Sequence, residues 1–138
     1  MISSYALDIA TAGQGDVRDL TREVAGLLAD SRLTAGLVTV FVTGSTAGIT
    51  TIEFEPGVVA DLARAFEAIA PRGAHYDHHA RWGDDNGSSH VRAAVLGPSI
   101  TLPFAGGQLA LGTWQQVVLV EFDTRARHRQ VMVQVMGE

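Results

Sequence analysis

Residues 97–122, GPSITLPFAGGQLALGTWQQVVLVEF, constrain the fold more than any other stretch of this chain. Two apolar runs of strand composition, 100–104 and 117–122, flank Gly106-Gly107 and the word Gly112-Thr113-Trp114-Gln115. Turn glycines followed by β-branched residues predict a hairpin-like β segment. Such a turn does not need a Trp and a Gln at the entrance of its second strand. Both are costly to place there unless they pack against something or bind something. The second run also carries Glu121. A carboxylate in so apolar a strand either faces solvent by alternation or is buried and paired.

The rest of the chain supplies a mixture of strands and helices. Residues 2–9 predict a strand. Asp16 is a good N-cap for a helix to about Ala29, with Leu20, Val24, Leu27 and Leu28 on one face. Residues 36–43 predict a buried strand, broken by Gly44-Ser45-Thr46-Ala47-Gly48, and 49–54 another. Pro56 opens a helix to about Ala70, with Leu62, Ala65, Phe66 and Ile69 as its buried stripe. The polar segment 72–88 precedes a short helix over 89–96, and 99–104, 109–111, 116–122 and 129–137 are β. Strict βαβ alternation is absent. The expected fold is therefore α+β, a single domain over 1–138 with mixed or antiparallel sheets and two or three helices.

Composition narrows the function classes. The net charge of −5 and the lack of a basic run argue against nucleic acid as a partner. The chain has no cysteine, which suits a reducing cytoplasm and rules out thiolate metal ligands. MISSYALDIA lacks the charged and apolar regions of a signal peptide, and no apolar run approaches the ~20 residues of a membrane span. Apolar residues make up 46% of the chain and charged residues only 18%, which points to apolar surface covered in an oligomer.

Three groups of residues carry candidate chemistry. His75, His78, His79 and His90 fall close together with Asp77, Asp84 and Asp85. They suit either a divalent metal or general acid–base work, or they form a solvated polar loop. The spacing matches no standard zinc motif. Second, Ser88-Ser89-His90 opens a helix, with Arg92 three residues in, and Ser45-Thr46 lie in a Gly-bounded loop. Free N–H groups, hydroxyls and a guanidinium there suit a phosphate, although Gly-Ser-Ser turns are usually plain caps. Third, Glu53 and Glu55 precede a helix, and Trp114 offers either core packing or a stacking surface. No nucleophile elbow or Ser-His-Asp order is present.

Several of these words resemble one family. Ser99, Leu102, Gly106, Leu111, Gly112-Thr113-Trp114-Gln115 and Glu121-Phe122-Asp123, in that order, are similar to the signature of the YjbQ-like secondary thiamine-phosphate synthase family. FVTGSTAGITTIE at 41–53 resembles its first motif. Tyr76, His78 and Ser89-His90-Val91-Arg92-Ala93 resemble its histidine-containing central motif. The resemblance covers about 5–138. It implies a small homotrimeric enzyme that joins a pyrimidine pyrophosphate to a thiazole phosphate as a secondary activity. It places His78, His90, Glu53 and Glu121 in the site. Any Mg or Zn would lean on His78 and His90, and Trp114, with Gln115, would offer the substrate a stacking surface if it does not pack in the core. One departure stands out: many relatives have a histidine where this chain has Gly44. That loss favours the alternative, a non-catalytic oligomer binding a small anion or metal.

Overall fold

The structure is a computed structural model describing residues 1–138. Eight strands form two antiparallel sheets. The larger has the order β1 (Ile2–Thr11), β8 (Arg127–Gly137), β3 (Ala35–Val42), β5 (Ser99–Ala105), β6 (Gln108–Leu109). The smaller has β7 (Gln116–Glu121) between β2 (Val17–Asp19) and β4 (Ala47–Ile52). The glycine-rich turn at 106–107 closes the short β5–β6 hairpin, and the chain then crosses to the second sheet as β7. The 97–122 segment therefore links both sheets rather than forming one hairpin.

Period-two alternation decides which side chains meet. Val131, Val133 and Val135 of β8 and Val38, Val40 and Val42 of β3 face inward. They pack with Ile49, Val117 and Leu119 of the small sheet and with Leu20, Val24 and Leu28 beside and along α1 (Thr21–Ser31). The opposite face of β7 presents Val118, Val120 and Phe122 to Phe66 of α2 (Pro56–Ile69) and Ala93 of α4 (Gly87–Leu96). Phe66 and Phe122 meet edge to face, with centroids 4.7 Å apart. The small sheet is thus covered on both sides. That explains why β7 is nearly all apolar: alternation is lost when both faces are dry.

Four helices are present, one more than the sequence suggests, because α3 (Asp77–Trp82) forms inside the polar segment. It is held to α4 by close packing of Tyr76 on Gly87, where a Cβ would come within 2.3 Å of the tyrosine. The first helix also begins later than Asp16. That carboxylate accepts from Ala12 N–H and pairs with Arg18, while Asp19 accepts the Thr21 N–H. The Pro56 helix starts as expected, with Glu55 accepting from Gly57 and Val58 N–H. Its stripe is only partly covered: Phe66 is buried, but Ala65 is exposed and Ile69 is 56% exposed.

Candidate functional site

The second β strand run answers the question posed by Glu121. It lies on the inward register of β7 with no solvent exposure, facing the inward register of β8 at Arg129. Their pairing is bidentate: Arg129 Nε donates to Oε1 at 2.8 Å and Nη2 to Oε2 at 2.5 Å. Thr11 Oγ1 donates to Oε1 at 2.7 Å and the Asp123 N–H to Oε2 at 3.0 Å. A buried charge is tolerable when it is paired and its remaining lone pairs are used, and both conditions hold here.

The pair continues outward through hydrogen bonds. Arg129 Nη2 donates to Thr46 Oγ1 at 2.7 Å, and that hydroxyl donates to Asp123 Oδ2 at 3.0 Å. Arg127 Nη1 also donates to Asp123 Oδ2, at 3.0 Å. Burial alone would raise the Asp123 carboxyl, but the Thr124 N–H, the Thr46 hydroxyl and Arg127 together hold it below its ordinary value. Asn86 follows. Its NH2 reaches Asp123 Oδ1 at 3.4 Å or, turned over, Asp84 at 3.0 Å and His78 Nε2 at 3.1 Å. The second orientation makes more and shorter contacts.

Beyond Asn86 lie two histidines. His78 Nε2 lies 3.1 Å from Asp84 Oδ2, and its ring centroid is 4.3 Å from that of His90. Burial pushes the His90 imidazole below the ordinary histidine value, neighbouring His78 adds to the fall, and Asp84 and Asp123 oppose it. His90 lines an open depression with Gly44, Ser45, Ala47, Ala93 and Pro98. The structure thus gathers His78, His90, Ser45, Thr46 and Glu121 around the junction of both sheets and α4. Asp84, Asn86, Asp123, Arg127 and Arg129 join them. Asp123 closes the Glu-Phe-Asp word; Arg129 had no signal beyond sharing the alternating register of Val131, Val133 and Val135 in β8.

Other expected residues lie elsewhere. Arg92 is buried against α2, donating from Nε to the Ala70 carbonyl at 2.9 Å and from Nη2 to Glu67 at 2.5 Å. Its guanidinium staples the end of α2 and does not reach into the depression. Its pull also holds the Glu67 carboxyl below the usual range. Ser88 and Ser89 are buried rather than presented to solvent, and the Ser89 hydroxyl has no partner. Glu53, Trp114 and Gln115 sit at the far end of the small sheet. Glu121 pairs with Ala47 and Gln116 with Ile52, so five residue steps separate the ends, roughly 17 Å at strand spacing. Gln115 is taken up there, bonding Gly112 N–H and Thr51, and Trp114 is 72% exposed.

Fold and site together define a two-sheet α+β protein with a histidine-bearing cleft where the sheets meet. Residues 5–138 match the model of the UPF0047 protein YjbQ-like family, and the chain belongs to that family. A UPF0047 protein of Methanothermobacter thermautotrophicus is 36% identical over 99% of this chain and 94% of its own length. One of Archaeoglobus fulgidus is 35% identical over 94% of this chain and 98% of its own. Among solved structures, a YbjQ-like protein of unknown function from Sulfolobus solfataricus superposes with a TM-score of 0.89 at 29% identity, covering 100% of both chains. A hypothetical protein from Aeropyrum pernix gives 0.89 at 30% identity and 99% coverage of each.

Proposed function

We propose that the cleft binds a small phosphorylated compound and that His90 exchanges a proton with its phosphate end. The contact between His90 and His78, on the wall shared with the Gly44–Ala47 loop, carries this reading. A half-buried imidazole kept below its ordinary value is neutral near pH 7. An arriving dianion favours its protonated form, which then donates a charge-assisted bond or serves as general acid to a leaving phosphate. The finer reading is the one the family resemblance implies: thiamine-phosphate synthase chemistry as a secondary activity, with pyrophosphate as the leaving group.

Mg or Zn gains little support from the donor set. No three His, Asp or Glu side chains converge as metal ligands, and Gly44 cannot add one. Non-catalytic ligand binding is the second reading, and the loss of a histidine at Gly44 favours it. Oligomerisation is part of the same proposal. The outer face of the large sheet carries Ile2, Leu37, Phe41 and Met136, each at least 39% exposed, among neutral Ser4, Thr39 and Gln134. A homotrimer in the cytoplasm would cover that face, and sedimentation as a stable monomer at micromolar concentration would exclude it. No helix is long and apolar enough to cross a membrane.

Turnover separates the two readings. Incubating the protein with the pyrimidine pyrophosphate and thiazole phosphate should release pyrophosphate in a His90-dependent manner. Thermal stabilisation by either compound without release supports binding alone. Neither release nor stabilisation removes both.

A further inference from the structure

Arg129 has one nitrogen to spare. Nε and Nη2 are committed to Glu121 and Thr46, whereas Nη1 has no acceptor in the protein. Nη1 is directed at Gly44. A Cβ on residue 44 would stand 2.8 Å from Nη1 and 3.9 Å from Cζ, with no other neighbour within 4 Å. Glycine therefore leaves a gap between a guanidinium that is otherwise 97% enclosed, its side chain only 3% exposed, and the depression lined by Gly44, Ser45 and His90. A second observation comes from the same loop. The backbone N–H groups of Gly44, Ser45 and Thr46, three in succession, donate to no carbonyl of the protein. Consecutive unpaired amides beside a fixed cation make a concavity for anions.

We infer that the Gly44 gap over Arg129 is an oxoanion subsite, in which one oxygen of a terminal phosphate accepts from Nη1 and neighbouring oxygens from the 44–46 amides. This rests on the phosphate reading of the cleft and gives it a direction: the phosphate enters at the Gly44 end, with His90 on the wall of the same depression. Glu121 does not cancel the site. It fixes the guanidinium plane and uses only the Nε–Nη2 edge, so Nη1 remains a charge-assisted donor with no reorganisation to undergo. Gly44 becomes a specificity-determining residue, because any side chain there closes the gap. Its φ of +131° is a conformation that only glycine adopts without strain.

Inorganic phosphate and pyrophosphate are the probes, titrated into the full chain by calorimetry and by the guanidinium 15N resonance of Arg129. Saturating pyrophosphate should shift that resonance. Gly44→Ala, whose Cβ fills the gap at Nη1, should weaken binding at least tenfold. Because alanine is strained at this position, the double variant Glu121→Gln/Arg129→Gln is the companion. It removes Nη1 while keeping a neutral hydrogen-bonded pair, and it should lose binding while melting cooperatively. An unmoved Arg129 resonance at saturation overturns the subsite, as does a folded double variant that binds like the parent. If the resonance shifts but His90→Ala binds normally, the subsite stands and the His90 reading falls. Binding that needs His90 and leaves Arg129 silent gives the converse. No binding by either probe at pH 6 sinks both.

Discussion

The two ends of the β4–β7 ladder place polar residues in opposite circumstances. At the Ala47–Glu121 end, Glu121 has no solvent exposure and every acceptor position is occupied by Arg129, Thr11 or the Asp123 amide. At the Ile52–Gln116 end, Trp114 is 72% and Phe54 42% exposed; Gln115 accepts the Gly112 N–H in a local turn and Gln116 accepts the Phe54 N–H across the ladder. The closed end fixes charges by enclosure, which suits binding and proton exchange. The open end displays the apolar area of Trp114 and Phe54 beside the exposed Glu53, which suits contact with another surface. A signature word at the open end therefore need not describe the chemistry at the other.

Breaking the closed end should have the largest effect. Glu121→Ala leaves the Arg129 guanidinium buried and uncompensated, and losing one partner of such a pair costs about 3–5 kcal/mol. Urea denaturation measures it. A loss below about 1 kcal/mol would mean that water enters the junction and that the two ends do not differ in enclosure.

Acid sharpens the comparison next. Asp123 has a depressed value when folded, so its contribution is complete above the unfolded carboxylate value near 3.8 and is lost as pH falls through the folded value. His90 is also depressed. Its neutral form is favoured on folding, and stability starts to fall once pH drops below about 6.5, where the unfolded chain takes up its proton first. Phosphate affinity should move the other way, rising as pH falls and His90 becomes easier to protonate. Melting curves from pH 8 to 3 with and without pyrophosphate test both signs. His90→Ala should flatten the limb near pH 6, and Asp123→Asn the limb below pH 4.

Most of the fold was legible because burial is written in the period of the side chains. The alternation of β8 and the runs of β3 and β7 could face only one way once two sheets shared a core. The site was half legible. His78 lies in the polar segment and His90 just after it, at the start of the following helix, so proximity in sequence was informative. Arg129 and Thr46 are 83 positions apart and meet only through the packing of one sheet on the other. Arg92 misled for the reverse reason: its helix position was clear, but a helix start does not say which neighbour a long side chain will reach. It reached Glu67 and Ala70 of α2. The segment forming α3 lacked an apolar stripe, so periodicity could not show it.

At the open end the effects should be small and the location of the loss informative. Trp114→Ala removes a side chain with few buried neighbours, so the protomer's stability should change by no more than about 0.5 kcal/mol. If that surface joins subunits, the same change weakens the oligomer in sedimentation while leaving pyrophosphate affinity intact. A loss of affinity in a still-assembled protein would bring Trp114 into the cleft and erase the contrast between the ends.

The smallest expected effect separates two histidines of the same segment. His79 is half exposed, and its Nδ1 accepts the Asp85 N–H at 2.8 Å, steadying a residue held at φ 56°. Deleting one such exposed bond costs about 0.5 kcal/mol or slightly more. His79 makes no ring contact with His90, so His79→Ala should leave the pH dependence of phosphate binding where it was. His78→Ala removes both the ring against His90 and the link to Asp84, and it should displace that dependence. The competing terms set the direction. Losing a neighbouring imidazole relieves repulsion of a protonated His90, so the affinity rise should begin at higher pH. Calorimetric titrations of the two variants between pH 5 and pH 8 decide it, and identical profiles would show that His78 does not act through His90.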